Sequence, residues 1–318
     1  MNVLIVIVNY RTPDLAIDCL RSLEAEIATV PGTRVVVTDN ASGDDSVARL
    51  AAAVQEHGWE GWAELRPLER NGGFAYGNNA AIRPALASSD PPRYVWMLNP
   101  DTIVLPGALR AMVEFLDAKP EVGLAGTGVE NVDGSVQSSW FTFPSPAVEF
   151  AGMIRLRLVY RLLLGTSGTL DSPAAASQVD WVSGASLFIR RAVFDAVGLL
   201  DEAYFMYFEE VDFCLRASRA GWPCWYVPSS RITHLAGQSS GVANPQAPRK
   251  RVPKYWFEAR RRFFLTNQGL ARTILADLGW ASAHVLYRIR MALLRRPVSE
   301  PKWIFWDFVR YNFLMIRW

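Results

Sequence analysis

Three acidic side chains stand close together in the stretch MYFEEVDFCLR. Glu209, Glu210 and Asp212 fall within four positions, and Arg216 follows Asp212 at helical distance. Carboxylates that crowd together raise one another's pKa, which prepares one of them to accept a proton from a hydroxyl group. Three acids at the start of an amphipathic stretch also suit the positive end of a helix. The cluster therefore predicts either a general base or a stabilised helix N-terminus.

A further acid, Asp101, follows directly after the pattern of a buried strand. The stretch YVWMLNPDT spans residues 94–102, and Pro100 fits the point where a strand ends because it has no backbone N–H. Ligands of open parallel sheets bind at the carboxyl ends of the strands, so Asp101 stands where a metal or a substrate would be held. The alternative is that Asp101 only caps the helix predicted for PGALRAMVEFLDA.

The elements that must position these side chains alternate between two periods. Apolar runs predict strands at NVLIVIV, RVVVTD, AELRPL, YVWML and EVGLAGTGVEN. Helical spacing between the first strands predicts helices at DLAIDCLRSLEAE, DSVARLAAAVQEHG and AYGNNAAIRPALASS. This alternation implies βαβ units and a parallel sheet. Polar loops follow four of the strands, at the edge where such a sheet binds ligands: VNYRTPD, TDNASGDDS, ERNGGFAYGNN and NPDT.

The composition indicates a globular protein. The chain has 318 residues, of which 50% are hydrophobic and 20% are charged. It contains no run of about 18 uncharged apolar residues, so no transmembrane helix is expected. The first residues, MNVLIVIVNY, carry neither a basic region nor a cleavage site, and the three cysteines lack metal-binding spacing. We therefore expect a cytoplasmic location.

The charge is distributed unevenly along the chain. Residues 249–318 hold 15 Lys and Arg against 4 Asp and Glu, whereas residues 1–248 carry a net charge of −9. Five of the twelve Trp fall in the basic part. Cationic amphipathic helices with Trp and Phe lie in membrane interfaces and meet anionic headgroups, so we expect this region to bind a membrane surface. Packing on the rest of the chain and contact in a homo-oligomer remain alternatives; no nucleic-acid partner is expected.

The stretch SSWFTFPSPAVEFAGMIRLRLVYRLLL predicts an irregular segment followed by a basic amphipathic helix. Its apolar side chains would cover the sheet or touch lipid, with core packing as the first interpretation.

The motifs together resemble family 2 glycosyltransferases. The order VIVNY, VTDNAS, NGGFAYGNN, MLNPD, WVSGASLFIRR and DEAYFMYFEEVDFCLRASRAGW is similar to their bacterial rhamnosyltransferase and galactofuranosyltransferase branch, over about residues 1–240. The resemblance implies the GT-A fold, an αβα sandwich with a mostly parallel central sheet. It also implies inverting transfer of a sugar from a nucleoside diphosphate, usually with a divalent metal.

The same resemblance implies a division of the chain. We expect a GT-A catalytic domain over residues 1–248, with a nucleotide-sugar half at about 1–127 and an acceptor half at about 128–248. A helical extension, basic and rich in aromatic residues, would follow over residues 249–318.

In the nucleotide-sugar half, the resemblance assigns donor-binding roles. Asn9, Tyr10 and Arg11 would line the nucleotide pocket, and Asp39 would accept a hydrogen bond from the base. The remaining expected donor contacts are Asn71, Gly72, Gly73, Asn78, Asn99 and Asp101.

The resemblance also implies a metal site. The stretch NPD stands where the family has an Asp-x-Asp motif, so Asn99 replaces the first acid and only Asp101 is left as a carboxylate ligand. His234 in RITHLAGQ occupies the position where several family members place a metal-binding histidine, although a lone histidine is also common as a structural residue. Mg²⁺ or Mn²⁺ held by Asp101 and His234 would neutralise the charge of the diphosphate.

In the acceptor half, the resemblance makes Glu210 the base that takes the proton of the acceptor hydroxyl. Glu209 would hold acceptor hydroxyls, and Asp212 would support the site or pair with Arg216. Ser183 and Gly184 would let the backbone pass close to the sugars. Trp181 would be a platform for a sugar face, or else a core residue.

The predicted function is transfer of a sugar, with L-rhamnose from dTDP-L-rhamnose preferred over UDP-sugars, to a saccharide or a polyprenyl-linked acceptor. This reaction would serve cell-surface polysaccharide synthesis, peripherally on the inner face of the cell membrane. Two alternatives remain. A nucleotidyltransferase would carry a Gly-rich phosphate loop, which VIVNYRTPD lacks. A catalytically silent membrane-associated scaffold would not need Asp39, Asp101 and Glu210.

Overall fold

The first half of the chain alternates strands with helices, as the two periods predict. The structure is a computed structural model that describes residues 1–164, 173–235, 251–298 and 300–314. Its first elements are β1 (Val3–Asn9), α1 (Pro13–Thr29), β2 (Thr33–Asp39), α2 (Ser46–Glu56), a 3₁₀ turn (Trp59–Gly61), β3 (Ala63–Pro67), α3 (Gly73–Leu86) and β4 (Tyr94–Leu98). Strands β3, β2, β1 and β4 lie side by side in that order and are parallel. Their carboxyl ends therefore meet at one edge of the sheet.

The second half adds shorter strands and more helices. These are β5 (Thr102–Val104), α4 (Ala108–Ala118), β6 (Leu124–Glu130), β7 (Val136–Gln137), β8 (Trp140–Phe141), α5 (Pro146–Ile154), α6 (Arg157–Leu164), β9 (Ser177–Val179), β10 (Trp181–Val182), β11 (Ser186–Arg190), α7 (Arg191–Val197), α8 (Glu209–Arg219) and β12 (Cys224–His234). The last described elements are α9 (Lys254–Leu293), α10 (Ile304–Val309) and a π-helical turn (Arg310–Leu314).

Beyond β4 the sheet is mixed. Its order continues as β11, β6, β12 and β5, with β7 beside β6 and β9 beside β12. Strand β11 is antiparallel to both β4 and β6, whereas β12 is parallel to β6 and antiparallel to β5. The pairing of β12 with β5 brings residue 234 opposite residue 102, so the end of β12 reaches the edge where β4 ends.

Both faces of the sheet are covered by helices, which confirms the predicted αβα sandwich. Successive side chains of β1 point to opposite faces, as the period of a strand requires. Ile5 and Ile7 pack with apolar residues of α1, α2 and α4. Leu4 and Val6 pack with residues of α3, α7 and α8.

Helix α9 forms the predicted helical extension. It is kinked at Gly269, where φ is 79° and ψ is 170°. Before the kink, Phe263 and Phe264 pack with Tyr204 and Val211 next to α8. The helix also packs against α5 and α10.

A buried ion cluster joins α9 to α5. The side chain of Arg260 is fully buried, with Nη1 at 2.6 Å from Asp277 Oδ1 and Nη2 at 2.9 Å from Glu149 Oε2. Removing one partner from such a cluster would leave uncompensated charge in the interior. The cluster therefore fixes α9 on the rest of the fold.

The predicted basic amphipathic helix is interrupted. Helix α5 ends at Ile154, the next residue Arg155 has φ of 52°, and α6 begins at Arg157. The Arg155 guanidinium lies over the Tyr287 ring, 4.7 Å from its centroid, so its contact with α9 accompanies the break. Helix α5 packs against α9, whereas α6 has no buried side chain.

Candidate active site

Asp39 ends β2 at the carboxyl edge of the sheet and is almost fully buried. Its Oδ2 accepts hydrogen bonds from Asn9 Nδ2 at 2.7 Å and from Ser42 Oγ at 2.6 Å, and its Oδ1 accepts from the Ser42 N–H at 3.0 Å. A carboxylate has about four acceptor sites, so one remains for a ligand such as a base N–H. Asp39, at the end of β2, is therefore already oriented to accept a hydrogen bond from a ligand.

The loop after β1 lies beside this carboxylate. Asn9 is buried beneath Asp39, whereas Tyr10 is 40% exposed. Arg11 has φ of 58°, and its backbone N–H and its Nε donate to the Oγ and the carbonyl oxygen of Ser42. Tyr10 and Arg11 are therefore the members of this loop that a nucleotide would meet.

The Asn-Gly-Gly turn before α3 fits tightly against the loop that leads to α8. Gly73 has φ of +88°, and a Cβ there would lie 1.9 Å from the carbonyl oxygen of Phe205. That carbonyl accepts a 2.8 Å hydrogen bond from the Phe74 N–H. Asn71 Oδ1 accepts from the Gly73 N–H and from Asn40 Nδ2. Only glycine at position 73 can bring this turn so close to the loop at Phe205.

Two other predicted donor contacts lie at the start of α3: Gly72 precedes the helix, and Asn78 lies within it. A Cβ on Gly72 would overlap the ring of Tyr76, at 2.4 Å from Cγ. The side chain of Asn78 is buried in the first turns of α3 and donates to the Phe74 carbonyl oxygen at 2.9 Å. Its Oδ1 has no hydrogen-bond partner among the described residues.

Asp101 lies at the end of the Asn-Pro-Asp turn, next to the last residue of β12. Its Oδ1 is 3.3 Å from His234 Nε2, and its carboxylate is fully buried. The backbone N–H of Asn99 donates to the carbonyl oxygen of Ala185 at 3.0 Å, which ties this turn to the Ser-Gly-Ala-Ser segment.

The helix-cap alternative for Asp101 is not what the structure shows. Helix α4 begins at Ala108, after β5 has intervened. The N–H groups of Gly107 and Leu109 donate to the carboxylate of Glu26, at 2.7 and 2.9 Å. Glu26 therefore serves the N-terminus of α4, and Asp101 faces His234.

The pair of Asp101 and His234 fits the ligand geometry of a divalent ion. Ligand atoms about 2.1 Å from an ion and at right angles stand about 3 Å apart, close to the separation observed here. No group of three or more His, Cys, Asp or Glu side chains converges within the described ranges. Phosphate oxygens and water would therefore have to complete the coordination.

The acidic cluster forms the first turn of α8. Burial, and then the neighbouring Glu210 carboxylate, raise the pKa of Glu209 well above its ordinary value. Burial also raises the pKa of Glu210, and hydrogen bonding from backbone groups, Gly184 among them, opposes that rise. The Oε2 atoms of Glu209 and Glu210 have no hydrogen-bond partner in the described part of the chain. Such carboxylates are suited to accept a proton.

The backbone just before these acids is strained. Tyr207 and Phe208 have φ of 73° and 70°, and both belong to the left-handed region that non-glycine residues avoid. This conformation costs about 1–2 kcal/mol per residue. Strain of this kind persists where the surrounding structure fixes it, and it is concentrated at functional sites. Here the strained residues directly precede the first turn of α8, which carries the acidic cluster.

Asp212 has a supporting position. Its Oδ2 accepts from Arg216 Nε at 2.7 Å, and its Oδ1 accepts from Asn267 Nδ2 of α9 at 2.9 Å. Arg216 also donates to the carbonyl oxygens of Val197 and Leu199. Asp212 therefore links α8 to α9, in agreement with the predicted pairing with Arg216.

The Ser-Gly-Ala-Ser segment passes close to Phe74 of α3 and Glu210 of α8. A Cβ on Gly184 would lie 3.5 Å from Phe74 Cε1 and 3.7 Å from Glu210 Cδ. The Oγ of Ser183 accepts from the Ala185 N–H at 3.2 Å and so shapes the turn. Trp181 stacks on Phe141 at 4.4 Å and donates its Nε1–H to the carbonyl oxygen of Thr142. Trp181 is partly buried in this packing, and its contact with a sugar stays a prediction.

The separate motifs thus meet at one edge of the sheet. Asn9 reaches Asp39, the turn at Gly73 reaches Phe205, and the Asn99 turn reaches the segment that contains Gly184. Sequence reasoning did not single out Ser42, Asn40, Phe205 or Asn267. The position of Ser42, three residues after Asp39, is a local signal for an Asx turn, whereas the contacts of Phe205 and Asn267 are long-range and leave no such signal.

Comparison with known proteins identifies the family. Residues 1–251 match the family model described as "Glycosyltransferase like family 2". The chain belongs to the family 2 glycosyltransferases, in their rhamnosyltransferase branch. Membership of this family supports neither a nucleotidyltransferase nor a catalytically silent scaffold.

Two relatives illustrate the branch. N-acetylglucosaminyl-diphospho-decaprenol L-rhamnosyltransferase of Mycobacterium tuberculosis is 31% identical over 235 residues, which cover 68% of this chain and 70% of the relative. Rhamnosyltransferase WbbL of Escherichia coli is 24% identical over 205 residues, which cover 63% of this chain and 75% of the relative.

Solved structures confirm the GT-A fold. TarS 1-349 of S. aureus matches 98% of this chain and 81% of its own, with a TM-score of 0.53 and 16% identity. A mannosyltransferase of Pyrobaculum calidifontis, solved with GDP-Man and Mn²⁺, matches 94% of this chain and 76% of its own, with a TM-score of 0.54 and 15% identity. At this identity the likeness concerns the fold alone.

Proposed function

We propose that this glycosyltransferase moves L-rhamnose, with inversion, from dTDP-L-rhamnose to a saccharide carried on a polyprenyl diphosphate. The observation that supports the inverting chemistry is the adjacent pair of Glu209, which is buried, and Glu210, which is half-buried and lies beside Gly184. The choice of rhamnose and of a lipid-linked acceptor follows the relatives named above.

On the donor side, Asp39 would accept the N–H of a pyrimidine base at its remaining acceptor site. Tyr10 and Arg11 would flank the nucleotide, and the turn at Gly72 and Gly73 would let the backbone approach it. Each of these positions lies at the carboxyl edge of the parallel strands, where nucleotides bind in such sheets.

Asp101 and His234 would hold a divalent ion, with Asn99 in the same turn. When bound, the ion would neutralise the negative charge of the diphosphate. Mg²⁺ and Mn²⁺ both accept oxygen ligands, and the imidazole inclines the site toward Mn²⁺.

On the acceptor side, a carboxylate oxygen of Glu210 would take the proton of the attacking hydroxyl. As the O–H bond breaks, the hydroxyl oxygen forms a bond to the anomeric carbon of the sugar, and the bond from that carbon to the diphosphate breaks on the opposite face. Glu209 would hold acceptor hydroxyls, and Ser183 and Gly184 would leave room for the sugars. A raised pKa suits Glu210 to this step, because a base works best when its pKa is near the working pH.

A binding panel tests this proposal. We expect dTDP-L-rhamnose with Mg²⁺ or Mn²⁺ to raise the melting temperature more than UDP-galactofuranose or UDP-glucose, because ligands that bind only the native state stabilise it by mass action. EDTA should reduce the shift, and D101N and H234A should remove the part that depends on the metal. A melting temperature that no nucleotide sugar changes would contradict the proposal, and an equal shift with and without EDTA would contradict the metal site.

A further inference from the structure

Helix α9 is apolar on two opposite faces after its kink. One face, with Ala276, Trp280, Ala283 and Tyr287, is buried. The other face is exposed, and its large apolar side chains are between 43% and 79% accessible: Leu270, Ile274, Leu275, Leu278, Val285, Leu286, Ile289 and Leu293. A helix that packs on one side only is normally polar on the other. We therefore expect the second face to bind another molecule or surface.

This exposed face carries no charge. At 100° per residue its eight large apolar side chains occupy a sector of about 160°, and Arg272, Arg288 and Arg290 lie at or beyond its edges. The single acid between Leu270 and Leu293 is Asp277, which is buried against Arg260. The face is about 35 Å long, from the rise of 1.5 Å per residue.

Neighbouring elements have the same character. Leu158 and Leu162 of α6 are 68% and 76% exposed, and Trp303 and Trp306 at the start of α10 are each 64% exposed. The segment before α6 lies against α9, because Arg155 contacts Tyr287. Exposed cations accompany these apolar side chains: Arg157, Arg161, Arg295, Arg296 and Lys302.

A cavity of about 500 Å³ opens beside this face. Apolar and aromatic side chains line it together with Arg288 and Lys302. Its one acid, Glu300, is held by His284 at 3.2 Å and Arg288 at 3.5 Å. The rim of the apolar face therefore has space for an anionic group, and Lys302 provides a positive charge there.

We propose that this face of α9, with α6 and the two exposed Trp, is a docking surface for an anionic lipid bilayer. Exposed Trp and Leu would enter the headgroup region while the cations at the rim meet lipid phosphates, as amphipathic helices do. A second copy of the chain is the weaker occupant, since two such faces would bring their cationic rims together. Among the described helices, none has the length and hydropathy that crossing a membrane requires, so the surface would lie on the bilayer.

The surface begins next to the acidic cluster. Asn267, three residues before Leu270, donates to Asp212 of α8. A bilayer on this face would hold α8 close to lipid headgroups. The inference rests on exposure and charge, not on the proposed reaction, and so it can fail or hold independently.

Vesicle flotation tests the inference with a matched pair of variants. L278Q/I289Q removes two side chains of the face, which are 53% and 52% exposed. The control, V132Q/V136Q, removes two side chains near β7 that are 77% and 59% exposed. Neither pair is buried, so both variants should fold.

We expect the full chain to float with phosphatidylcholine vesicles that contain phosphatidylglycerol, and less with phosphatidylcholine alone. High salt should weaken the binding because it screens headgroup charge. L278Q/I289Q should bind at least about tenfold less, because two apolar side chains no longer enter the bilayer, and the control should bind as wild type.

The inference would be overturned if the wild type did not float with vesicles. It would also be overturned if the wild type and L278Q/I289Q floated equally. A dimer in solution that L278Q/I289Q dissociates, without vesicle binding, would assign the face to a second copy. The melting shift with dTDP-L-rhamnose, measured on the same samples, keeps a failure of the donor proposal separate, because neither pair of substitutions lies at the donor site.

Discussion

Glu209 and Glu210 are neighbours in sequence with different surroundings. Glu209 is only 3% exposed, and burial is the main cause of its raised pKa. Glu210 is half-buried and faces Gly184, where backbone hydrogen bonding opposes the rise. The two carboxyl groups interact, so their protons leave in steps that belong to the pair. This asymmetry leaves Glu210 as the side chain that an acceptor can reach.

The raised pKa of Glu209 predicts how stability depends on pH. Because the folded state holds this proton more tightly than the unfolded chain, the stability that it contributes is present at low pH and is lost as pH rises through the raised pKa. At neutral pH, the ionisable carboxyl group of Glu209 therefore makes the folded state less stable than it is at low pH.

 

A stability measurement on Glu209→Gln checks the direction of this pH dependence. The variant should melt at a higher temperature than wild type near neutral pH, because its amide does not ionise. The gain should shrink as pH falls and should vanish below about 4.3, the ordinary pKa of a glutamate, where both states of the wild type are protonated. Melting curves across this pH range supply the test. A variant that is less stable than wild type at every pH would mean that the carboxylate makes a stabilising contact in the folded state.

At the scale of elements, the site depends on one close approach between distant segments. The turn at Gly73 and the loop at Phe205 are 132 positions apart in the chain, and the hydrogen bond from the Phe74 N–H joins them. This contact places the start of α3 against the loop that leads into α8. A change that separates the two segments should therefore affect both folding and donor binding.

Two glycines with similar positive φ angles allow a comparison. Gly73 and Gly107 have φ of +88° and +82°, but a Cβ on Gly107 would meet nothing within 4 Å. Gly107→Ala should cost about 1 kcal/mol of stability, from backbone strain alone. Gly73→Ala adds a clash with the Phe205 carbonyl, so we expect a loss of about 3 kcal/mol or more and weaker donor binding.

Denaturant unfolding and calorimetry with the nucleotide sugar measure these two effects. Equal losses of stability in the two variants would show that the Phe205 contact is not a constraint on the site.

The fold was predictable from the sequence where the signal is local. The apolar run at Val3–Asn9 and the alternation that follows it predict β1 to β4 and the helices between them. The position of β11 between β4 and β6 was not predictable, because strand order in this half depends on contacts far apart in sequence. The break at Arg155 was also missed, since its contact with Tyr287 lies on α9.

The site residues were likewise predictable only where the signal in the sequence is local. Asp39, Asp101 and His234 were indicated by their motifs, and the structure brings the last two within 3.3 Å of each other. The link from Asp212 to Asn267 was not visible in the sequence, because nothing in the local pattern of α9 marks Asn267 as a partner of α8.

At the scale of the whole molecule, the proposed donor and acceptor sites belong to different parts of the chain. The proposed donor residues follow the parallel strands of the first half, and the acidic cluster begins α8 in the second half. Helix α9 joins the cluster to the proposed lipid surface through Asn267. If this division is correct, a substitution in α8 can stop sugar transfer and leave donor binding intact.

The most direct test of the account compares donor affinity with transfer rate in Glu210→Gln. The amide keeps the size of the side chain but cannot take a proton from the acceptor. Calorimetry should show donor affinity close to wild type, while single-turnover transfer falls by roughly 10²–10⁴, the usual contribution of a general base. Glu209→Gln serves as the neighbouring control and should raise the acceptor KM more than it lowers kcat. Transfer by Glu210→Gln at the wild-type rate, or an equal loss of donor affinity in both variants, would contradict the assignment of Glu210 as the base.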